Sequence, residues 1–386
     1  MTVKKKLKNT AVLAMPFFIL TAAVFGGGIF AKHGGGAALV LAGTQMPSES
    51  VELIIDELEG GSDEEIQSVI DDLDIPEHTP PSSNILRPPS SGSNLATKTS
   101  NTTPEDIQAL IEKAKTAQAN AKKDGNIREV TYGASNATNT YQKVCVRNVT
   151  DKHGINIAEC LSASCKLDTS DRSKPLVLIY HTHTTEAYEQ LDRGWYSNSF
   201  PTRSSSETTN MIRVGDALCE RLSAAGYTVI HDRQIHDTSY TGSYARSRES
   251  IENYKKQYPS LQVIIDVHRD GIKSSDGTKT KPVAMINGKK SAQIMIITGC
   301  QEGKVTEFKG WEDNLNFAVQ LQKHAEDLYP GLMRPIYFSP RKYNMDTSPC
   351  GVLLEIGSDA NTLDEAVYAG SLVGDALASL LNDYSK

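Results

Sequence analysis

The stretch LVLIYHTHTTEAY, residues 176–188, determines how this chain folds. Its first five residues are apolar, and a run this short and partly β-branched predicts a buried strand of a parallel or mixed sheet. The strand is followed at once by His181, His183 and Glu186. Ligands of open α/β sheets bind beyond the carboxyl ends of the strands. The two imidazoles and the carboxylate are therefore expected where such a protein carries out its chemistry.

Two later apolar runs end in the same way. Residues 261–267 lead into His268, and residues 351–354 lead into Glu355. Three neutral or anionic N/O ligands with an open fourth position, and a further carboxylate as base, are the composition of a mononuclear zinc hydrolase. We predict that Glu355 is the general base, which takes a proton from water and passes it to the leaving amine. The predicted Zn²⁺ ligands are His183, Glu186 and His268.

The first strand leaves alternatives open. A His and a Glu three residues apart make a weak motif when they stand alone, and only the two other strand ends favour a site. Because positions i and i+2 of an extended chain share a face, both His181 and His183 are expected to reach the site, one as ligand and one in support. Glu207, which begins the next helix, competes with Glu186 as the carboxylate ligand.

Charged residues around His268 have predicted supporting roles. Asp266 or Asp270 is expected to orient the imidazole. Arg269 is the best candidate in a scattered set of arginines for binding anionic groups of a substrate. A serine nucleophile is disfavoured, since the sequence contains no G-x-S-x-G.

Composition excludes several classes of protein. The 386 residues carry a net charge of −7, and no basic stripe follows the N-terminus, which argues against a nucleic-acid binder. The six cysteines include no CxxC, which argues against a thiolate zinc site. Cys160 and Cys165 either form a local disulfide or stay unpaired, because spacing alone does not fix connectivity.

The chain divides into five predicted regions. Lysines at the start of a cytoplasmic tail, 1–10, precede an apolar segment, 11–31, that is long enough for a transmembrane anchor. The rest is then extracytoplasmic; a cleaved signal peptide is the competing interpretation. An acidic helical segment and a Pro/Ser/Thr-rich linker follow over 32–103. A small β-rich subdomain is predicted over 104–170 and the catalytic domain over 171–386.

Strands and helices alternate throughout the predicted catalytic domain. Apolar residues at helical spacing recur between the short apolar runs, as in the predicted helix from Met211 to Leu222 that ends before Gly226. This alternation predicts a doubly wound α/β fold, with a mostly parallel sheet and helices on both faces.

The sequence resembles the family of stage II sporulation protein P over roughly residues 175–383. The resemblance rests on YHTHTTEAY at 180–188, IIDVHRDG at 264–271 and LLEIGSDANT at 353–362. It implies an amidase fold related to zinc-dependent N-acetylmuramoyl-L-alanine amidases and zinc carboxypeptidases, with His183, Glu186 and His268 as ligands and Glu355 as base. The wider amidases carry their ligand Glu at the next helix start, which keeps Glu207 under consideration.

The resemblance also implies a function. It implies cleavage of the bond between N-acetylmuramic acid and L-alanine in peptidoglycan, and of peptide cross-links as a further activity, at the sporulation septum during engulfment. It implies stage II sporulation protein D, which degrades the stripped glycan, as a partner. A zinc carboxypeptidase or endopeptidase and a non-catalytic wall-binding scaffold are the alternative hypotheses.

Overall fold

The computed structural model describes residues 30–33, 36–39, 83–88, 99–165 and 167–384. The strands are β1 (Phe30–His33), β2 (Gly36–Leu39), β3 (Ser83–Leu86), β4 (Gly125–Val130), β5 (Asn139–Tyr141), β6 (Val144–Asn148), β7 (Pro175–Tyr180), β8 (Trp195–Tyr196), β9 (Thr228–Asp232), β10 (Val263–Asp270), β11 (Lys279–Ile286), β12 (Lys289–Ala292), β13 (Ile294–Gly299), β14 (Ile336–Ser339) and β15 (Cys350–Ser358). The helices are α1 (Glu105–Ala117), α2 (Ile157–Ser162), α3 (Met211–Ala224), α4 (Ser243–Gln257), α5 (Trp311–Leu328) and α6 (Leu363–Asp383).

A nine-stranded sheet forms the centre of the unit that spans Gly60–Lys386. Its strand order is β3-β9-β7-β10-β15-β13-β14-β6-β5. The neighbours of β7 and β10 are parallel, as are the β13–β14 and β14–β6 pairs, whereas β3, β5 and the β13–β15 contact are antiparallel. The mostly parallel sheet of the predicted α/β fold is therefore present.

The strand β7 shows why helices cover both faces of the sheet. Val177 and Ile179 belong to the large core that α3 and α6 share, whereas Leu178 and Tyr180 pack in a separate cluster with α4. Because alternate side chains of a strand point to opposite faces, the two clusters lie on opposite sides of the sheet. The continuous apolar run was the sequence signal for this double burial.

Helix ends explain how the chain returns to the sheet. The side chain of Asn210 accepts a hydrogen bond from Ile212 N at the start of α3, and Gly226 has φ +93° just after its end. The glycine takes a left-handed conformation that other residues adopt at a cost. The α6 helix begins with a reciprocal capping box between Thr362 and Glu365.

Several predicted boundaries need correction. Segment 104–170 is not a separate subdomain: β5 and β6 extend the nine-stranded sheet, and β4 joins a four-stranded sheet of order β12-β11-β4-β8. Part of the predicted linker, β3, pairs antiparallel with β9 as an edge strand, because its Ile85 and Leu86 pack against the core there.

Cys160 and Cys165 are free thiols. Cys160 is buried, and Cys165 Sγ lies 3.7 Å from Gln320 Oε1.

The N-terminal unit, Met1–Glu59, is described only at β1 and β2, which pair antiparallel. The predicted anchor 11–31 and the acidic helical segment lie outside the described residues, apart from the last two anchor positions in β1. None of the helices in the described ranges combines the length and hydrophobicity needed to cross a membrane.

Candidate metal centre

The loop after β7 is held in place by polar contacts. Asp237 accepts hydrogen bonds from the backbone N and the Oγ1 of Thr185, at 3.0 and 2.6 Å. Arg203 pairs with the same carboxylate at 3.0 Å. The Thr184 hydroxyl donates to His181 O at 2.7 Å. These contacts turn the chain sharply, so the residues after the strand do not continue in an extended conformation.

The turn brings His183 and Glu186 to His268 of β10. The rings of His183 and His268 have centroids 5.3 Å apart, and His268 Nδ1 lies 3.8 Å from Glu186 Oε2. All three side chains are buried. The structure therefore brings together the three residues that the sequence predicts as metal ligands.

Glu355 lies beside His268 on the neighbouring strand. The two residues are direct register partners in the parallel β10–β15 pair. Both stand inside their strands rather than beyond the ends, because the pairing continues to Asp270 and Ser358. Within the described part of the chain, Glu355 Oε2 is buried and has no hydrogen-bond partner. This carboxylate is thus placed next to the candidate ligands with one oxygen uncommitted.

Asp266 holds the other side of His268. Its Oδ1 lies 2.8 Å from His268 Nε2, and the same carboxylate accepts from the N and Oγ1 of Thr182 at 2.9 and 2.6 Å. Asp270 instead pairs with Arg334 at 3.0 Å. Of the two predicted orienting residues, Asp266 therefore contacts the imidazole, which leaves Nδ1 directed towards Glu186.

The structure does not bring His181 to this cluster as a free ligand. Its Nδ1 lies 2.9 Å from Val267 O, and its Nε2 lies 2.9 Å from His231 Nε2. The other ring nitrogen of His231, Nδ1, lies 3.0 Å from Asp216 Oδ1. The predicted shared face of positions 181 and 183 is wrong, because β7 ends at Tyr180 and the chain turns.

Two further candidates have structural partners. Glu207 pairs with Arg233 at 2.7 Å and is half exposed, so it does not join the two histidines. Arg269 donates to Ala187 O and Thr202 O at 2.7 and 2.9 Å, and its backbone N donates to Glu186 Oε2 at 3.1 Å. Arg269 therefore braces the loop that carries Glu186, and its guanidinium is committed to backbone oxygens rather than to a substrate.

Aromatic residues at the site were missed by the sequence interpretation. The Tyr240 ring stacks on His183 at 4.4 Å with an interplanar angle of 9°. Tyr244, in α4, lies 5.8 Å from His183 and 6.3 Å from His268 between ring centroids. Nothing in local spacing marks these tyrosines, since α4 reaches the histidines only through its packing on the sheet.

The charges at the site shift the pKa values of its residues. Burial lowers the pKa of His183 well below its ordinary value, and the positive charge of His268 and nearby arginines adds to this. Burial opposes protonation of His268 as well, but Asp266, Glu186 and Glu355 raise its pKa to about 9. Burial, followed by the charge of Asp270, raises the pKa of Glu355. A raised pKa suits a carboxyl group that exchanges a proton near neutral pH.

The donor set fits a zinc ion. His183 Nδ1 is buried and, among the described residues, has no hydrogen-bond partner. His268 Nδ1 lies 3.8 Å from Glu186 Oε2, and its Nε2 lies 2.8 Å from Asp266 Oδ1 without hydrogen-bond geometry. A carboxylate behind a ligating histidine is the usual outer support of zinc. In the described ranges, the potential ligand atoms of these three residues do not all lie within 4.8 Å of one another.

Two other groups of potential ligands meet that distance limit among the described residues. In one, Glu129, Asp192 and Glu365 surround the ammonium groups of Lys281 and Lys290, so each carboxylate already has a cationic partner. The other comprises His153, Cys300 and Glu302, where the Glu302 carboxylate accepts hydrogen bonds from the backbone N atoms of residues 151 and 152.

Comparison with known proteins places the chain in a family. Residues 68–378 match the family described as "Stage II sporulation protein P (SpoIIP)". The chain belongs to the stage II sporulation protein P family. It is 29% identical over 251 residues to the stage II sporulation protein P of Bacillus subtilis (strain 168), covering 60% of this chain and 59% of that protein. The chain thus spans about three-fifths of the length of this relative.

Solved structures with some likeness include amidases. The CwlD amidase from Clostridioides difficile, in complex with the GerS lipoprotein, matches with a TM-score of 0.36 and 11% identity over 54% of this chain and 99% of that one. The N-acetylmuramyl-L-alanine amidase Ami1 from Mycobacterium smegmatis matches with a TM-score of 0.33 and 10% identity over 55% of this chain and 100% of that one. TM-scores this low do not establish a shared activity.

Glu189, three residues beyond Glu186, gives a prediction about stability. Burial raises the pKa of Glu189 from 4.5 to about 7, so folding favours its protonated form. The stabilisation is complete below pH 4.5 and is lost as the pH rises to about 7. The difference corresponds to about 3 kcal/mol, at 1.36 kcal/mol per pKa unit. We expect Glu189→Gln to raise the free energy of unfolding by up to this amount at pH 8 and to change it little at pH 4.

Urea unfolding at the two pH values measures the effect of Glu189→Gln. The exposed Glu112, which pairs only with Lys115 on the surface of α1, supplies the control substitution Glu112→Gln, with no change expected at either pH. Equal stabilisation by Glu189→Gln at both pH values would contradict the assignment of a pKa-linked effect.

Proposed function

We propose that this protein is a zinc-dependent peptidoglycan amidase. Its substrate is the bond between N-acetylmuramic acid and L-alanine, and cleavage of peptide cross-links is a further activity. It acts at the sporulation septum during engulfment, tethered to the membrane by residues 11–31, with the catalytic unit outside the cytoplasm. Stage II sporulation protein D would degrade the glycan from which the peptides have been removed.

The proposal rests on one observation: Glu355 and His268 are register partners on adjacent parallel strands, with Glu186 and His183 turned towards the same point. Membership of the family supports the sporulation role and peptidoglycan as substrate. The choice of the N-acetylmuramoyl-L-alanine bond and of stage II sporulation protein D as partner is inferred from the family resemblance. This chain matches only 59% of the length of the Bacillus subtilis relative, so the activity of that whole protein is proposed here.

Each residue has a role in the proposed reaction. His183, Glu186 and His268 would hold the zinc ion, which when bound lowers the pKa of water to about 7. Asp266 fixes the orientation of the His268 ring, and Arg269 fixes the Glu186 loop. Glu355 accepts the proton of the attacking water and returns it to the leaving L-alanine nitrogen. Desolvation of this carboxyl keeps its pKa raised, which helps it to release the proton again.

Mass spectrometry of digested peptidoglycan tests the proposal. Purified sacculi are incubated with the full chain, with EDTA, and with EDTA followed by Zn²⁺. The expected products are stem peptides with a free L-alanine amine and glycan without peptides, lost with EDTA and restored by Zn²⁺. Glycan strands that keep their L-alanine and carry shortened or uncrosslinked peptides would instead favour a carboxypeptidase or endopeptidase. Unchanged sacculi with bound protein would indicate the non-catalytic scaffold and would refute the amidase proposal.

A further inference from the structure

A column of stacked rings extends from the candidate metal centre. The Tyr244 ring lies nearly parallel to that of His268, with 6.3 Å between centroids and an interplanar angle of 11°. The Tyr343 ring stacks on Tyr244 at 5.1 Å and 22°. We call His268, Tyr244 and Tyr343 the aromatic column. It places a flat hydrophobic surface two rings away from a candidate metal ligand.

The backbone that carries Tyr343 is strained. Tyr343 and Asn344 have φ values of +43° and +58°, which place two consecutive non-glycine residues in the left-handed region. Each such residue costs about 1 kcal/mol or more, and such strain persists only where surrounding contacts enforce it. Bulky side chains are rarely found in this conformation. The position of the Tyr343 ring is therefore maintained at an energetic cost.

Asn344 supplies the contacts that enforce this conformation. Its Nδ2 donates to Tyr244 O at 2.9 Å and to Ser247 Oγ at 3.1 Å, and its carbonyl accepts from Thr347 Oγ1 at 2.6 Å. The first two bonds tie the Tyr343 segment to α4, the helix that carries Tyr244. The two tyrosines of the column are thus fixed relative to each other by the same side chain.

Burial argues against a purely structural role for these rings. Tyr244 and Tyr343 are half-buried, whereas the structural tyrosines Tyr227 and Tyr254 are almost fully buried in the core. A ring that only fills the core gains most from complete burial. Partly exposed aromatic rings beside a polar centre are typical of ligand sites, where their faces pack against apolar surfaces of the ligand.

Charge around the column favours an uncharged ligand. Arg248, on α4, forms two hydrogen bonds to Asp346, both at 2.9 Å. Lys342 lies 3.9 Å from the same carboxylate. Arg248 and Lys342 thus share a carboxylate of the protein itself, so neither is a dedicated counter-charge for a carboxylate of a stem peptide. A sugar ring has an apolar face of C–H groups and needs no counter-charge there.

We propose that Tyr343 and Tyr244 form a binding subsite for a pyranose ring of the peptidoglycan glycan strand. The inference rests on the proposed function, because it takes peptidoglycan as the substrate, and it adds the glycan as the part recognised beside the metal centre. A sugar ring stacked there would hold the glycan strand two rings from the candidate ligand His268. The phenol hydroxyl is not needed for this contact, whereas the ring is.

Binding measurements on a Glu355→Gln background separate this subsite from catalysis. The probes are the disaccharide N-acetylglucosaminyl-N-acetylmuramic acid with its lactyl carboxyl blocked as the simple amide, which leaves it uncharged, and the free stem peptide, each titrated into the full chain by NMR. Tyr343→Ala is expected to weaken disaccharide binding about tenfold, in line with about 1.4 kcal/mol for an aromatic contact, and to leave peptide binding unchanged. Tyr343→Phe should bind as the parent does. Tyr337→Ala, in β14 and stacked near Arg147, is the matched control and should have no effect.

Tyr343→Gly is a second variant in case Tyr343→Ala fails to fold. Glycine removes the ring and also relieves the strained φ. Tyr343→Gly should show a cooperative thermal unfolding transition, and it should weaken disaccharide binding as much as Tyr343→Ala does. Unchanged disaccharide binding in both variants, or a loss confined to the stem peptide, would overturn the subsite. If the parent protein cleaves no peptidoglycan but Tyr343 still governs disaccharide binding, the amidase proposal fails and the subsite stands.

Discussion

Glu355→Gln is expected to reduce hydrolysis of peptidoglycan by about 10³-fold, within the range of 10²–10⁴ that a general base contributes. The substitution keeps the shape of the side chain and removes its ability to accept a proton. Glu355 Oε2 has no hydrogen-bond partner among the described residues, so the amide breaks no existing contact there. Because burial already raises the pKa of Glu355, a neutral side chain should not destabilise the fold.

The measurement is the rate of stem-peptide release, together with zinc content and thermal unfolding of the same samples. Glu326→Gln is a matched control, because Glu326 is another carboxyl whose pKa burial raises, and it serves to hold the backbone N atoms of Gly331 and Met333 in a distant loop. The control should retain full activity. Full activity of Glu355→Gln with normal zinc content would remove Glu355 from the mechanism and leave the proposed base unidentified.

The sequence was sufficient to predict the part of the site that depends on strand topology. Parallel strands bring their carboxyl ends to one edge, so short apolar runs ending in His183, His268 and Glu355 were expected to converge. The structure places them together, with the β10–β15 register joining the last two directly. The same pattern could predict helices on both faces, because β7 is apolar at every position and must be buried on each side.

Contacts that depend on loop geometry could not be predicted in the same way. The role of His181 was misjudged because an extended chain was assumed beyond Tyr180, whereas Thr184 bonds back to His181 O and turns it. Arg269 was expected to face a substrate, but its donors are taken by carbonyls of loops that are distant in sequence. Tyr244 reaches the site only through the packing of α4. Such tertiary contacts leave no periodic signal in the sequence.

Substitution of the two histidines of the first strand end should produce opposite effects. We expect His183→Ala to lower the affinity for zinc by more than about 100-fold, beyond the 10–100-fold that loss of an outer partner costs. Activity should be lost with the metal. The fold should remain, because His183 Nδ1 has no hydrogen-bond partner in the described chain and the ring contacts mainly Tyr240 and other residues of the site.

His181→Ala should instead destabilise the protein by about 2–4 kcal/mol and leave zinc binding largely intact. The substitution removes the partners of His231 Nε2 and Val267 O, both inside the protein. It also opens a cavity against α3, where a Cβ on Gly215 would lie only 2.6 Å from His181 Nε2. Urea unfolding of the zinc-free proteins and zinc titration of the folded ones measure the two quantities separately. Loss of zinc in His181→Ala at unchanged stability would contradict this division. It would return His181 to the metal centre, because a residue that only supports the sheet cannot affect the ion without affecting the fold.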